Sequence, residues 1–129
     1  MFLSESILWK ESSYPMAGCL PVRILLGARP EGHGYEEVFA DRPNPFVPLG
    51  TALRGHEFHY SKVAGTGQVE TAFEVRRGVG LGGSRDGFVL NRVLASYLHV
   101  HSLATPDWAN WLMKAALEYR REREIANDE

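Results

Sequence analysis

Two histidine-bearing runs narrow what this chain can fold into. Arg54-Gly55-His56-Glu57-Phe58-His59-Tyr60-Ser61 is answered downstream by Ala95-Ser96-Tyr97-Leu98-His99-Val100-His101, and together they hold four of the five histidines. Their aromatic and β-branched residues favour extended backbone. On a strand, residues two apart share a face. The first run therefore sets His56, Phe58 and Tyr60 on one side and Glu57 and His59 on the other, and the second sets His99 and His101 together. Imidazole titrates near neutral pH, so two such strands side by side form a site able to move a proton or hold a cation. A single histidine in a half-buried strand is more often a hydrogen-bonded structural group. Burying four of them without a use costs stability, which favours a site.

The other segments supply the frame. Length suits a single domain with one core. A net charge of −2 offers no basic field for nucleic acid. No apolar run approaches the ~18 residues of a membrane span, and no basic-then-apolar leader opens the chain, so no membrane contact and a cytoplasmic location are expected. Cys19 is the only cysteine. It can form no internal disulfide, and its apolar neighbours predict a buried, inert thiol.

Met1–Ile7 reads as a helical turn, Trp9–Pro15 as a polar connector, Met16–Leu20 as a short buried strand and Arg23–Gly34 as loop. His33–Ala40 alternates as a strand that Pro43, Pro45 and Pro48 bring to an end. Lys62–Gln68 reads as a turn region and Val69–Arg76 as a strand. The glycine run Gly78–Gly87 leads into Phe88-Val89-Leu90 and Val93-Leu94-Ala95 rather than into a helix. That predicts a hairpin connection closed by Asp86-Gly87, not a phosphate loop. Thr105, Pro106 and Asp107 form a helix start. Trp108, Trp111, Leu112, Ala115 and Tyr119 then recur at helical spacing as a face that packs on the sheet, while Arg120–Glu129 is a charged, solvated tail expected to fray.

Several of these strings carry a resemblance. Gly50–Ser61 (GTALRGHEFHYS), Asp86-Gly87-Phe88, Leu94–His101 (LASYLHVH) and Tyr14–Gly18 (YPMAG) resemble the C-terminal glutamine-amidotransferase part of the cobyrinic acid a,c-diamide synthases, which is similar to cobyric acid synthase in the same region. The resemblance implies an α/β fold: the C-terminal part of a flavodoxin-like class I glutamine amidotransferase domain, a mixed β-sheet with a C-terminal helix packed on it. It also implies the chemistry. A cysteine on a strand-to-helix elbow attacks the side-chain amide of glutamine, a histidine activates the thiol, and the released ammonia amidates a corrin carboxylate that a separate N-terminal domain activates with ATP and Mg²⁺. A thiol is mostly protonated at pH 7, and a neighbouring imidazole supplies the thiolate and later protonates the leaving ammonia.

By motif position the resemblance makes His99 the activating histidine. His101 falls where many class I amidotransferases carry the orienting glutamate, and as an uncharged candidate it leaves a Cys-His dyad at the centre. Arg54, His56, Glu57 and His59 match a family motif and are expected to line or brace the glutamine pocket. The family's Cys-Gly-Gly elbow belongs just upstream of the residues matching Met1-Phe2-Leu3, and Cys19 is offset from it. Residues 1–129 are therefore expected to be a partial domain with no cofactor of its own and no glutamine hydrolysis when isolated. An uncovered sheet edge and apolar face then predict self-association or a complementary N-terminal chain. Two other readings stay open: a cupin-like β domain holding a metal through His99 and His101, and a non-catalytic interaction domain of the same shape.

Overall fold

The computed structural model describes residues 1–127. Its strands are β1 (Ser6–Trp9), β2 (Ser12–Pro15), β3 (Val22–Leu26), β4 (Gly32–Ala40), β5 (Ala52–His59), β6 (Ser61–Thr66), β7 (Glu70–Arg77), β8 (Arg85–Leu90) and β9 (Val93–Ala95), followed by the helix α1 (Trp108–Asn127). They form two sheets, in the orders β2-β1-β3-β6 and β5-β4-β7-β8-β9. The first is mixed, since β1 and β3 run parallel while its other neighbours are antiparallel. The second is antiparallel throughout. The expected mixed sheet and C-terminal helix of a flavodoxin-like domain are thus present, with the antiparallel sheet beside them.

One extended stretch joins the sheets. Only Tyr60 separates β5 from β6, and the crossing is tied to the β3–β4 connection by Gly27 N–H donating to the Tyr60 carbonyl at 2.6 Å and Glu31 N–H to that of His59 at 2.9 Å. Leu20, Val22, Ile24 and Phe88 form a core linking the two sheets. Val38, Ala40, Leu53, Ala72, Phe73 and Leu98 form a second core on the helix side. Strand β8 feeds both, with Phe88 and Leu90 in one and Val89 packed on the other. That is the period-2 signature of a strand covered on both faces.

Several expectations fail in the first sheet. Met1–Ile7 is not a helical turn and Trp9–Pro15 is not a connector, because β1 and β2 pair as a hairpin across Lys10 and Glu11. Met16–Leu20 is not a strand; it is the connection into β3, and Cys19 within it is exposed rather than buried. Arg23–Gly34 is not simply loop, since it contains β3 and the start of β4, and Lys62–Gln68 contains most of β6. Strands β1, β2 and β6 are short and carry serine, lysine or glycine, which mark strands weakly. Pairing of β3 with β1 and with β6 joins segments distant in sequence, a tertiary effect that local propensity does not register.

Asp86-Gly87 lies inside β8, so it is not the hairpin's closing turn. The turn is Gly78–Ser84, where Gly78, Gly80, Gly82, Gly83 and Ser84 all have positive φ. Gly87 also has positive φ, and a Cβ there would in addition lie 2.6 Å from the buried ring of Phe73. Arg85, at the start of β8, forks onto Asp41 at 2.7 and 2.9 Å. That guanidinium holds the Asp41 carboxyl below its ordinary range.

Helix α1 starts after a turn in which Trp108 N–H donates to the Thr105 carbonyl. Trp111 packs on the second core, while Trp108, Leu112 and Tyr119 stay 44–45% exposed. The predicted stripe therefore touches the sheet at its centre and is open along its length. The tail does not fray where it is described: the helix runs to Asn127, with Arg120 and Glu124 paired one turn apart at 2.9 Å. Positions 128 and 129 lie outside the described residues. Among the described residues no helix is long and apolar enough to cross a membrane.

Candidate active site

Strand β5 alternates as the sequence predicts. Arg54, His56 and Phe58 point outward and Leu53, Glu57 and His59 inward. The two faces have different work. The inward pair is polar yet almost fully buried, at 2% exposure for Glu57 and 7% for His59, so each polar atom needs a partner.

Glu57 finds its partners in the glycine turn. Val79 N–H donates to Oε1 at 2.7 Å and Gly80 N–H to Oε2 at 2.9 Å. Successive N–H groups in a turn with positive φ make a concave anion site, and here the anion is the chain's own carboxylate. The glycine run thus does bind an acid group, though not a phosphate. Oε2 also meets His59 Nε2 at 3.2 Å, and His59 Nδ1 lies 2.7 Å from the Ser61 carbonyl. The Ser61 carbonyl can only accept, so Nδ1 donates to it, and Nε2 faces the Glu57 carboxyl.

The ring of Tyr97 lies flat on His59, with centroids 3.7 Å apart and planes 7° from parallel. Its hydroxyl and that of Ser61 are 2.6 Å apart. Burial first, and then the charge of Asp86, push the Tyr97 phenol up, against a lowering by Ser61. Asp86 is wholly buried. Its carboxylate accepts from Ser96 Oγ at 2.6 Å, Gly87 N–H at 2.7 Å and Tyr97 N–H at 3.2 Å. The segment leading to His99 is therefore anchored by a carboxylate beneath it and a stacked ring beside it.

This anchoring replaces the strand that was expected at Ala95–His101. Regular pairing stops at Ala95, and beyond it only His99 forms a bridge, to His56. The two backbones exchange both hydrogen bonds: His99 N–H to the His56 carbonyl at 2.8 Å and His56 N–H to that of His99 at 3.2 Å. Gly55 permits the approach, because a Cβ there would overlap the His99 carbonyl oxygen and lie 2.8 Å from Leu98 Cδ1. The imidazoles of His56 and His99 meet on the outer face, with centroids 4.8 Å apart and tilted by 57°.

His101 does not join them on a regular strand face. Its Nδ1 accepts from Leu103 N–H at 3.2 Å, and its carbonyl accepts from Ala104 and Thr105 N–H. It shapes the turn into α1. Arg54 is exposed on the His56 face and pairs with Glu37 at 3.0 Å. Beside His56 an open groove of about 610 Å³ is lined by His33, Tyr35 and Phe58. Cys19 Sγ has the Ala17 carbonyl as its partner, at 3.9 Å.

Glu36 is fully buried, and neither of its carboxyl oxygens has a hydrogen-bond partner. Burial first, then the neighbouring charge of Asp86 and that of Glu57, push its carboxyl up to about 9 from 4.5. The folded protein thus holds a proton that the unfolded chain gives up above pH 4.5. Stability attributable to this group falls as pH rises through that window and levels off above pH 9. Holding the proton to pH 7 against an ordinary carboxyl amounts to ~3 kcal/mol at most. Glu36→Gln is expected to raise the unfolding free energy by about 2 kcal/mol at pH 7 and by little at pH 4. Urea unfolding at the two pH values checks this.

Asp86, Tyr97, Glu36 and Gly55 were not singled out as functional from the sequence. One signal was available for Asp86: an acid just before the apolar run Phe88-Val89-Leu90 must be satisfied by something if the strand extends back to it. The metal reading is not assembled. Glu57 and His59 face inward while His56 and His99 face outward, and among the described residues no three His, Cys, Asp or Glu side chains converge as a metal site.

Known proteins match this chain in sequence. The family model for a CobB/CobQ-like glutamine amidotransferase domain matches residues 1–107. The chain is 36% identical over 115 residues to the cobyrinate a,c-diamide synthase of Magnetococcus marinus, covering 88% of this chain and 25% of the relative. It is 39% identical over 120 residues to that of Methanosphaera stadtmanae, covering 92% and 26%. With that of Archaeoglobus fulgidus it shares 35% over 118 residues, again covering 92% and 26%. The chain spans about a quarter of the length of these relatives.

Proposed function

Because the chain belongs to the CobB/CobQ-like glutamine amidotransferase family, we propose that it is the glutamine-handling portion of a cobyrinate a,c-diamide synthase, with His99 activating a thiol supplied from outside residues 1–129. His99 takes the thiol proton, and the thiolate attacks the side-chain amide carbon of glutamine. The imidazolium returns the proton to the leaving ammonia. Water then cleaves the thioester, giving glutamate and the free thiol. The ammonia amidates a corrin carboxylate activated with ATP and Mg²⁺ in the complementary portion of the enzyme. Arg54, on the same face as His56, offers a guanidinium to the α-carboxylate of glutamine.

The observation that carries this reading is the presentation of His99: an exposed imidazole on a segment held by the buried carboxyl of Asp86 and the half-buried ring of Tyr97. An exposed surface histidine needs no such anchoring, whereas a general base needs a fixed position. Cys19 is a poor nucleophile candidate because it lies in the β2–β3 connection with only a carbonyl for company. The test is ammonia release from glutamine, by the chain alone and by a chimera in which residues 1–129 replace the matching quarter of the Magnetococcus marinus enzyme. The chain alone is expected to release none. The chimera is expected to release ammonia whether Cys19 is present or changed to serine. A chimera that binds glutamine without turnover would replace this reading with the non-catalytic domain, and turnover by the isolated chain that disappears in Cys19→Ser would overturn it.

A further inference from the structure

Resting on the assignment of His99 as the base, we propose that His56, and not His101, is the positioning residue that holds the His99 imidazole for proton transfer. The backbone of His99 is fixed by its two hydrogen bonds to His56, but its side chain is exposed. An exposed imidazole has several rotamers, and only one or two aim a given ring nitrogen at a fixed point. The one ring contact found for His99 is the His56 imidazole, at 4.8 Å between centroids with a 57° tilt. At that distance the two rings block each other's rotation. Cross-strand pairs of this kind are how side chains on an exposed sheet face order one another.

His101 is not available for the role. Its Nδ1 already accepts from Leu103 N–H, and its carbonyl closes the turn at Ala104 and Thr105. His56 also lies where the base needs help after it has worked. Once His99 has taken the thiol proton it is a cation, and the π face of a neighbouring aromatic ring attracts a cation. No negative charge is required, which accounts for a working base without a carboxylate neighbour. Gly55 completes the arrangement, since a Cβ there would overlap the His99 carbonyl oxygen and keep the two backbones, and with them the two rings, apart.

Two variants separate ring packing from other roles. In the chimera, His56→Ala is expected to lower kcat by about 100-fold with KM within about threefold, as expected when a catalytic group loses its orientation rather than its ligand. His56→Phe, which keeps an aromatic face, is expected to restore most of kcat, and His101→Ala to leave kcat nearly unchanged. In the isolated chain, side-chain NMR of His99 is expected to show one dominant rotamer with cross-peaks to the His56 ring, averaged in His56→Ala and retained in His56→Phe. Because His56 is exposed, these changes leave the fold intact, and an unchanged melting temperature confirms it. If His99→Asn abolishes turnover while His56→Ala keeps kcat, or acts only on KM, the positioning role is wrong. If His99→Asn itself has no effect, it is the parent assignment that fails.

Discussion

Changing His99 to asparagine in the chimera is expected to slow ammonia release from glutamine by about 10³- to 10⁴-fold, with KM changed by less than about threefold. Asparagine preserves the backbone bridge to His56, so the pairing of the two segments is retained. What it removes is the imidazole assigned to take a proton from the thiol and return it to the leaving amine. A neutral thiol is a weak nucleophile at pH 7 and ammonia is a poor leaving group without a proton, so both halves of the acyl transfer suffer. A steady-state ammonia assay with the melting temperature as a folding control reads the effect.

The second large effect is on stability. Glu57→Ala is expected to lower the unfolding free energy by about 3–5 kcal/mol, because it removes one partner of a buried charged network and strands the rest. The Val79 and Gly80 N–H groups, at 2.7 and 2.9 Å, lose their acceptor, and His59 Nε2 loses the partner it has at 3.2 Å. The turn is built from residues with positive φ, including the non-glycine Ser84, and without the carboxylate nothing compensates for that conformation. His59 would then be a buried ring with one nitrogen unpaired, under a tyrosine whose flat stacking depends on its orientation. Glu57→Gln, keeping one acceptor oxygen, should fall between wild type and Glu57→Ala in urea unfolding. An alanine variant as stable as wild type would show that the glycine turn folds without its anion.

How much of this was legible in the sequence depends on what kind of physics sets each residue. The alternation Arg54–His59 was legible because a half-buried strand writes its two faces into the sequence with period two. Helix α1 was legible from its 3.6-residue stripe, though its start was not: the helix opens at Trp108, so Thr105-Pro106-Asp107 form the turn before it rather than the cap and first helical positions expected. The first sheet was not legible, since β1, β3 and β6 are extended only because they pair with one another across the chain. The site was half legible. The resemblance pointed to His99, and strand parity separated His56 from Glu57. That Glu57 answers the glycine turn, that Asp86 pins Ser96 and Tyr97, and that His99 faces His56 rather than aligning with His101 all arise from contacts between distant segments. No local pattern encodes them.

A base of this kind shows itself in the reactivity of its thiol. The rate at which iodoacetamide alkylates the nucleophilic cysteine of the chimera, followed by mass spectrometry across pH 5 to 9 with and without His99→Asn, measures thiolate formation without requiring turnover. The account predicts rapid alkylation near pH 7 that drops to the rate of an ordinary thiol when His99 is removed. Equal rates in the two proteins across that range would mean that this imidazole does not activate the thiol.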